Sequence, residues 1–182
     1  VLVVGFIILP PNELLQLAKH AGSSALFLSN FTYMDEAGYF DTISSNKWLL
    51  HTWSLSVEWQ FYLIYPLILK IVYSIAPKHK KILWLFIFHI LAFLSLYYFS
   101  IKSSAIKEEF GFFMLPARAW ELIAGSIAFY VLNLKIFKSK IKFVSDICIL
   151  LLILSSLFIS DAYRWPSSYT LIPVFLTFLI II

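Results

Sequence analysis

Residues Leu49–Leu69, LLHTWSLSVEWQFYLIYPLIL, decide how the chain reads. The stretch opens polar and runs on as an apolar membrane-like segment, so His51, Ser54, Glu58 and Tyr62 stand where hydrocarbon should begin. Ionisable groups at membrane depth are costly; they usually face a bundle interior or a wet cavity and mark a functional path. In a helix these four residues, spaced three, four and four apart, share one face, because about 3.6 residues make a turn. An imidazole two turns from a carboxylate can move a proton or bind an acceptor hydroxyl. The competing reading is a polar helix mouth at the interface, with Trp53 and Trp59 as belt anchors.

Working outward, hydrophobic residues make up 61% of the 182 and charged residues 13%, with a mean hydropathy of +0.87. That composition excludes an ordinary soluble domain. It predicts an all-α, polytopic transmembrane bundle. The net charge of +4 does not point to nucleic acid, because most lysines fall in two short clusters, Lys78–Lys81 and Lys135–Lys142, where they set topology. The single cysteine, Cys148, rules out an intrachain disulfide or a multi-cysteine metal site and is expected to be a small core residue. No metal-ligand cluster is visible, and no bound cofactor is expected.

About four full spans are expected: the Leu49 stretch, Ile82–Ile101, Phe112–Asn133 and Phe143–Ser160. Truncated spans lie at both ends, Val1–Leu9 and the run from Thr170, so the chain is expected to be an internal piece of a longer protein, since a span takes about 20 apolar residues. Pro10-Pro11 should end the first helix, with Asn12 capping an interfacial or re-entrant segment, Glu13–Ala21. His20 in that segment reads either as a catalytic residue or, the favoured expectation, as a histidine exposed at the interface. Thr32–Lys47 and Lys102–Gly111 read as polar loops. His89, inside a span, is either a relay or a hydrogen-bonded core histidine. Arg118 and Glu121, three apart, can pair on one helix face.

HTWSLSVEWQFYLIYPLIL resembles the signature of the acyltransferase 3 family, bacterial integral-membrane O-acyltransferases that decorate cell-surface sugars. The lead-ins Ser29-Asn30-Phe31, Gly38-Tyr39-Phe40-Asp41 and Leu49-Leu50-His51 are also similar to that family. Phe112–Leu122, FFMLPARAWEL, resembles its second recognisable block. One departure is Trp59, which follows Glu58 where the family commonly carries a second acid. The resemblance implies that residues 1–182 form part of a single acyltransferase 3-like membrane domain truncated at both ends. It also implies transfer of an acyl group, usually acetyl, from cytoplasmic acyl-CoA as donor substrate to a glycan on the far side. Residues that handle the donor would lie upstream of Val1, leaving this chain inert alone. A fused extracytoplasmic domain can follow in the full-length protein.

Two lysine clusters separated by two spans lie on one side, and short basic loops are cytoplasmic by the positive-inside rule. In a bacterial cytoplasmic (inner) membrane, the key helix then runs from outside to inside, with His51, Glu58, Arg118 and Glu121 toward the outer half. His51 and Glu58 are the catalytic candidates. Trp53, Ser54, Ser56, Tyr62, Arg118 and Glu121 are the candidates for substrate binding. The expected partners are the lipid bilayer, acyl-CoA and a glycan acceptor, without nucleic acid. The alternatives are a glycan or lipid transporter and a purely structural bundle. A transporter should show Gly- or Pro-broken helices at mid-membrane, and only Pro66 fits that pattern clearly.

Overall fold

The computed structural model describes residues 1–37, 47–133, 142–158 and 166–182, and over them the chain is helical without a strand. It divides into two compact units: Val1–Tyr65 with Phe113–Leu115, and Pro66–Phe112 with Pro116–Ile182.

In the first unit, α1 (Leu2–Ile8) ends at an extended Leu9 ahead of Pro10. Helix α2 spans Pro11–Ala25 and starts two residues before the expected point. Pro10 takes the N-cap place assigned to Asn12, and Pro11 sits at the first helical position, where its missing N–H costs nothing. α2 stops in a Schellman motif: Leu28 N–H donates to the Ser23 carbonyl (2.8 Å) and Phe27 N–H to that of Ser24 (3.1 Å). Phe27 occupies the left-handed position usual for glycine, with φ of 55°.

The chain then enters α3 (Ser29–Glu36), so residues 32–36 are helical rather than loop. Thr32, Tyr33, Asp35 and Glu36 give them a polar composition, which concealed a helix whose buried side carries Ser29, Asn30 and Tyr33. Gly38–Asp41 and the rest of the expected loop up to position 46 lie outside the described residues. A turn over 48–51 leads into α4 (Thr52–Ile75), which contains Pro66. α1 packs on α2 and α2 on α3, around Leu17, Tyr33, Val57 and Phe61.

The second unit takes the remainder of α4, then α5 (Lys81–Ile106), α6 (Glu108–Phe113), α7 (Leu115–Asn133), α8 (Lys142–Phe158), a 3-10 turn at Ser168–Thr170 and α9 (Leu171–Ile181). The polar loop expected at 102–111 is absent. α5 runs on to Ile106 and α6 begins at Glu108, with two acidic residues favouring its N-terminal turn. The reversal is tight at Gly111. A Cβ there would lie 2.7 Å from Ser104 Cβ and 2.9 Å from Ser104 Cα, too close for any side chain. α7 buries Ala117, Trp120, Ala124 and Ala128, and Trp120 meets Phe93 and Tyr97 of α5 edge-on at 5.8 and 5.1 Å. α8 packs along α9, and Cys148 is a buried free thiol, as its apolar setting predicts. The basic loop loses its described residues from 134 to 141, so the Lys135–Lys142 expectation lies almost wholly outside them.

Among the described residues, three helical stretches are long and apolar enough to cross a membrane: Thr52–Ile75, Lys81–Ile106 and Glu108–Asn133. α8, the fourth expected span, has 17 described helical residues, at the lower end of the roughly 17–25 that cross a bilayer. Leu63, Leu67 and Leu91 are each more than 60% exposed, an arrangement stable only against lipid or other apolar chain. This is the fold of an all-α membrane protein. His89 resolves as a core histidine: fully buried, its Nδ1 lies 2.5 Å from the Leu85 carbonyl and its ring 4.9 Å from that of Tyr130.

Candidate functional site

Helix α4 has two polar stripes. The expected one is open: His51 stands exposed in the turn before the helix, Ser54 and Tyr62 are exposed, and Glu58 is half-buried. Ser54 Oγ donates to the His51 carbonyl (3.1 Å), which ties the turn to the first helical residues. Glu58 has neither ion pair nor hydrogen bond among the described residues. Trp53 is half-buried, edge-on to Phe113 at 5.3 Å. Trp59 instead lies tilted against Phe27, ring centroids 4.6 Å apart, and so braces the left-handed turn.

The second stripe, Thr52, Ser56 and Gln60 at four-residue spacing, turns the other way and joins α4 to α2 and α3. Thr52 Oγ1 lies 2.6 Å from Ser24 Oγ and 3.2 Å from Ser29 Oγ, and Ser29 Oγ lies 2.7 Å from Ser56 Oγ. Gln60 Nε2 donates to Asn30 Oδ1 (2.8 Å) and to the Phe27 carbonyl (3.0 Å), while Asn30 Nδ2 donates back to Gln60 Oε1 (3.4 Å) and to the Phe113 carbonyl (3.3 Å). Small hydroxyl and amide groups on both helices permit this close approach. Ser56, expected at a substrate surface, is fully buried in that seam.

A third polar group gathers at Glu36, one that sequence reading passed over. Glu36 Oε1 accepts from Lys19 Nζ (2.7 Å), Oε2 lies 2.7 Å from His20 Nε2, and Lys47 Nζ stands 3.7 Å away. His20 was expected exposed; it is 4% exposed, because α3 folds back over that face of α2 and lays the Tyr33 ring 4.8 Å from the imidazole. Burial alone would push the Glu36 carboxyl up, but the hydrogen bonds and charges of Lys19 and His20 outweigh it and hold it below the usual range. Burial, then the Glu36 charge, push the Tyr33 phenol up to about 12; its hydroxyl lies near Thr52 without the alignment of a hydrogen bond. His20, Lys47 and Trp48 line a cavity of about 100 Å³ with Leu9, Gln16 and Leu17. The available signal was the pairing of Lys19-His20 with Asp35-Glu36 on flanking polar segments.

In the second unit, Arg118 Nη2 and Glu121 Oε2 pair at 3.0 Å as their spacing predicts, both side chains about four-fifths buried. The Arg118 guanidinium also sits 5.9 Å above the Phe112 ring. Glu121 borders a largely apolar cavity of about 300 Å³ between α7 and α9, walled by Ala124, Thr170, Val174 and Phe178.

With this geometry in place, comparison with known proteins gives a class. No family model matches the chain. Over 151 residues, 80% of this chain and 59% of the relative, it is 33% identical to an uncharacterized protein of Haemophilus influenzae. Over 75 residues, 40% of this chain and 12% of the relative, it is 29% identical to the O-acetyltransferase OatA of Staphylococcus aureus (strain NCTC 8325). Over 176 residues, 89% of this chain and 28% of the relative, it is 28% identical to a Staphylococcus aureus (strain COL) protein provisionally named an O-acetyltransferase. The chain thus spans 59% or less of these relatives' lengths. No solved structure matches. The chain is a helical membrane protein with partial similarity to O-acetyltransferases.

Proposed function

We propose that the chain is part of a membrane O-acyltransferase that moves an acyl group, acetyl in the first instance, from cytoplasmic acyl-CoA to a hydroxyl of a cell-surface or lipid-linked glycan. The observation that carries this reading is the pair of stripes on α4. One is spent on packing, so the other, where the His51, Glu58 and Tyr62 side chains make no hydrogen bond among the described residues and Ser54 bonds back to the His51 carbonyl, is open to a ligand at the mouth of a span. The resemblance of this stretch to the acyltransferase 3 signature and the similarity to named O-acetyltransferases supply the reaction class. On this reading His51 and Glu58 hydrogen-bond or deprotonate the acceptor hydroxyl, Trp53 and Tyr62 stack on the sugar, and Arg118 with Glu121 steadies an anionic part of a substrate. Both units belong to one acyltransferase domain in a bacterial inner membrane, with the Lys78–Lys81 loop cytoplasmic.

The test uses the full-length parent in membrane vesicles, following label from acetyl-CoA into glycan. Glu58→Gln and His51→Ala should each abolish transfer while inserting normally. Transfer undisturbed by either change would reduce the open stripe to an interfacial rim. Absence of transfer from every acyl-CoA tried would bring forward the transporter.

A further inference from the structure

Resting on the O-acyltransferase reading, we propose that His20, oriented by Glu36, is the base that takes the acceptor's proton, in the cavity it shares with Lys47 and Trp48. Three observations converge on it. His20 is buried and its Nε2 is held at 2.7 Å by a carboxylate that is itself anchored by Lys19, so the Nε2 proton points at Glu36 and the Nδ1 lone pair is left for a ligand. Among the described residues Nδ1 has no other partner.

The cavity beside His20 is more polar than the one beside Glu121, and its roughly 100 Å³ equals about three water volumes at about 30 Å³ each. That space takes a hydroxyl-bearing edge, such as a hydroxymethyl group, rather than a whole sugar ring. The dyad also adjoins the start of α4. The His20 carbonyl accepts from Ser24 Oγ (2.7 Å), Ser24 Oγ lies 2.6 Å from Thr52 Oγ1, and Lys47 and Trp48 directly precede Leu49. Of the two roles left open for His51 and Glu58, this assignment takes hydrogen bonding to the acceptor, and the proton goes to His20.

The step balances as follows. The acceptor O–H bond breaks and its proton passes to His20 Nδ1 as the oxygen bonds to the acyl carbon of a thioester donor. The acyl C–S bond breaks with its electron pair staying on sulfur, and the thiolate regains the proton from His20. Glu36 is a positioning residue: it fixes the tautomer and steadies the imidazolium. The charged and titratable groups facing the pair are Glu13 and Lys19 from α2, Tyr33 from α3, and Lys47 before α4.

The experiment compares wild type, His20→Ala and Glu36→Gln full-length protein in vesicles with labelled acetyl-CoA and glycan. His20→Ala should lower transfer by about 100-fold or more, the scale of a positioned general base, and added imidazole should restore part of it. Glu36→Gln should lower kcat severalfold with little change in the KM for the glycan, because the imidazole loses the partner that fixes its tautomer and orientation. Transfer within twofold of wild type in membrane-inserted His20→Ala overturns the assignment. So does a loss that imidazole does not restore, accompanied by a wild-type kcat in Glu36→Gln. If His20→Ala fails to accumulate, the kcat of Glu36→Gln decides. Wild type that transfers from no acyl-CoA refutes the O-acyltransferase reading itself, and this assignment with it.

Discussion

Asn30 and Gln60 exchange hydrogen bonds through both ends of their amides, Gln60 Nε2 to Asn30 Oδ1 at 2.8 Å and Asn30 Nδ2 to Gln60 Oε1 at 3.4 Å, with Asn30 fully buried. The buried Asn30 amide cannot turn to water if Gln60 goes. Gln60→Leu should therefore destabilise the first unit by about 1–3 kcal/mol, the cost of an orphaned buried polar group. Asn30→Leu with Gln60→Leu should cost less than the sum of the singles. Thermal unfolding of the three variants in one detergent measures the coupling; strict additivity would dissolve the pair.

The Glu36 cluster carries a pH dependence of definite sign. Its carboxyl is held below the usual range in the folded state, so the unfolded chain binds a proton first as pH falls. The stabilisation is present above the unfolded carboxylate value, about 4.3, and is lost as pH falls through the lower folded value. Hydrogen exchange in α3 should accelerate over that acidic window in wild type and show no such transition in Glu36→Gln.

Gly111 is required by a close approach rather than by a turn angle. Gly111→Ala sets a methyl 2.9 Å from Ser104 Cα, and backbone cannot step aside as a side chain can. Overpacking of this kind costs about 1–3 kcal/mol, which should appear as a lower melting temperature. An unchanged melting temperature would mean that α5 and α6 can part freely.

Arg118 and Glu121 neutralise one another with little access to water. Removing one charge of a buried pair costs about 3–5 kcal/mol, while replacing both with apolar residues is often near neutral. Scaled down for partial exposure, Arg118→Met should still be clearly less stable than Arg118→Met with Glu121→Leu. The reverse order, read by thermal unfolding, would show that Glu121 finds other compensation.

Helix existence was legible because apolar runs of span length admit little else. Leu49–Leu69 showed its open stripe for the same reason: His51 and Glu58 are conspicuous in such surroundings. The second stripe was written in Thr52, Ser56 and Gln60, residues whose pairing depends on what α3 brings opposite them, and α3 itself resembled a loop. Glu36 and His20 are sixteen residues apart in sequence. Only the Schellman turn at Phe27 brings their helices face to face, and a phenylalanine in the left-handed position gives no warning of it. The loop expected at 102–111 failed for a related reason, since Lys102, Glu108 and Glu109 are polar enough to hide two helices meeting at Lys107.

The seam between α3 and α4 also has a consequence in time. Ser29 and Asn30 are fully buried, and their side chains are satisfied largely by Ser56, Thr52 and Gln60, residues made later by the ribosome. Until those arrive, burying α3 would strand its polar groups, so α3 should wait in contact with water while synthesis proceeds. Nascent chains stopped before Thr52 should leave position 30, as a cysteine in a Cys148→Ala background, open to a water-soluble thiol reagent. Chains extended through the whole of α4 should close it, making the key helix the latch that ends the assembly of everything before it.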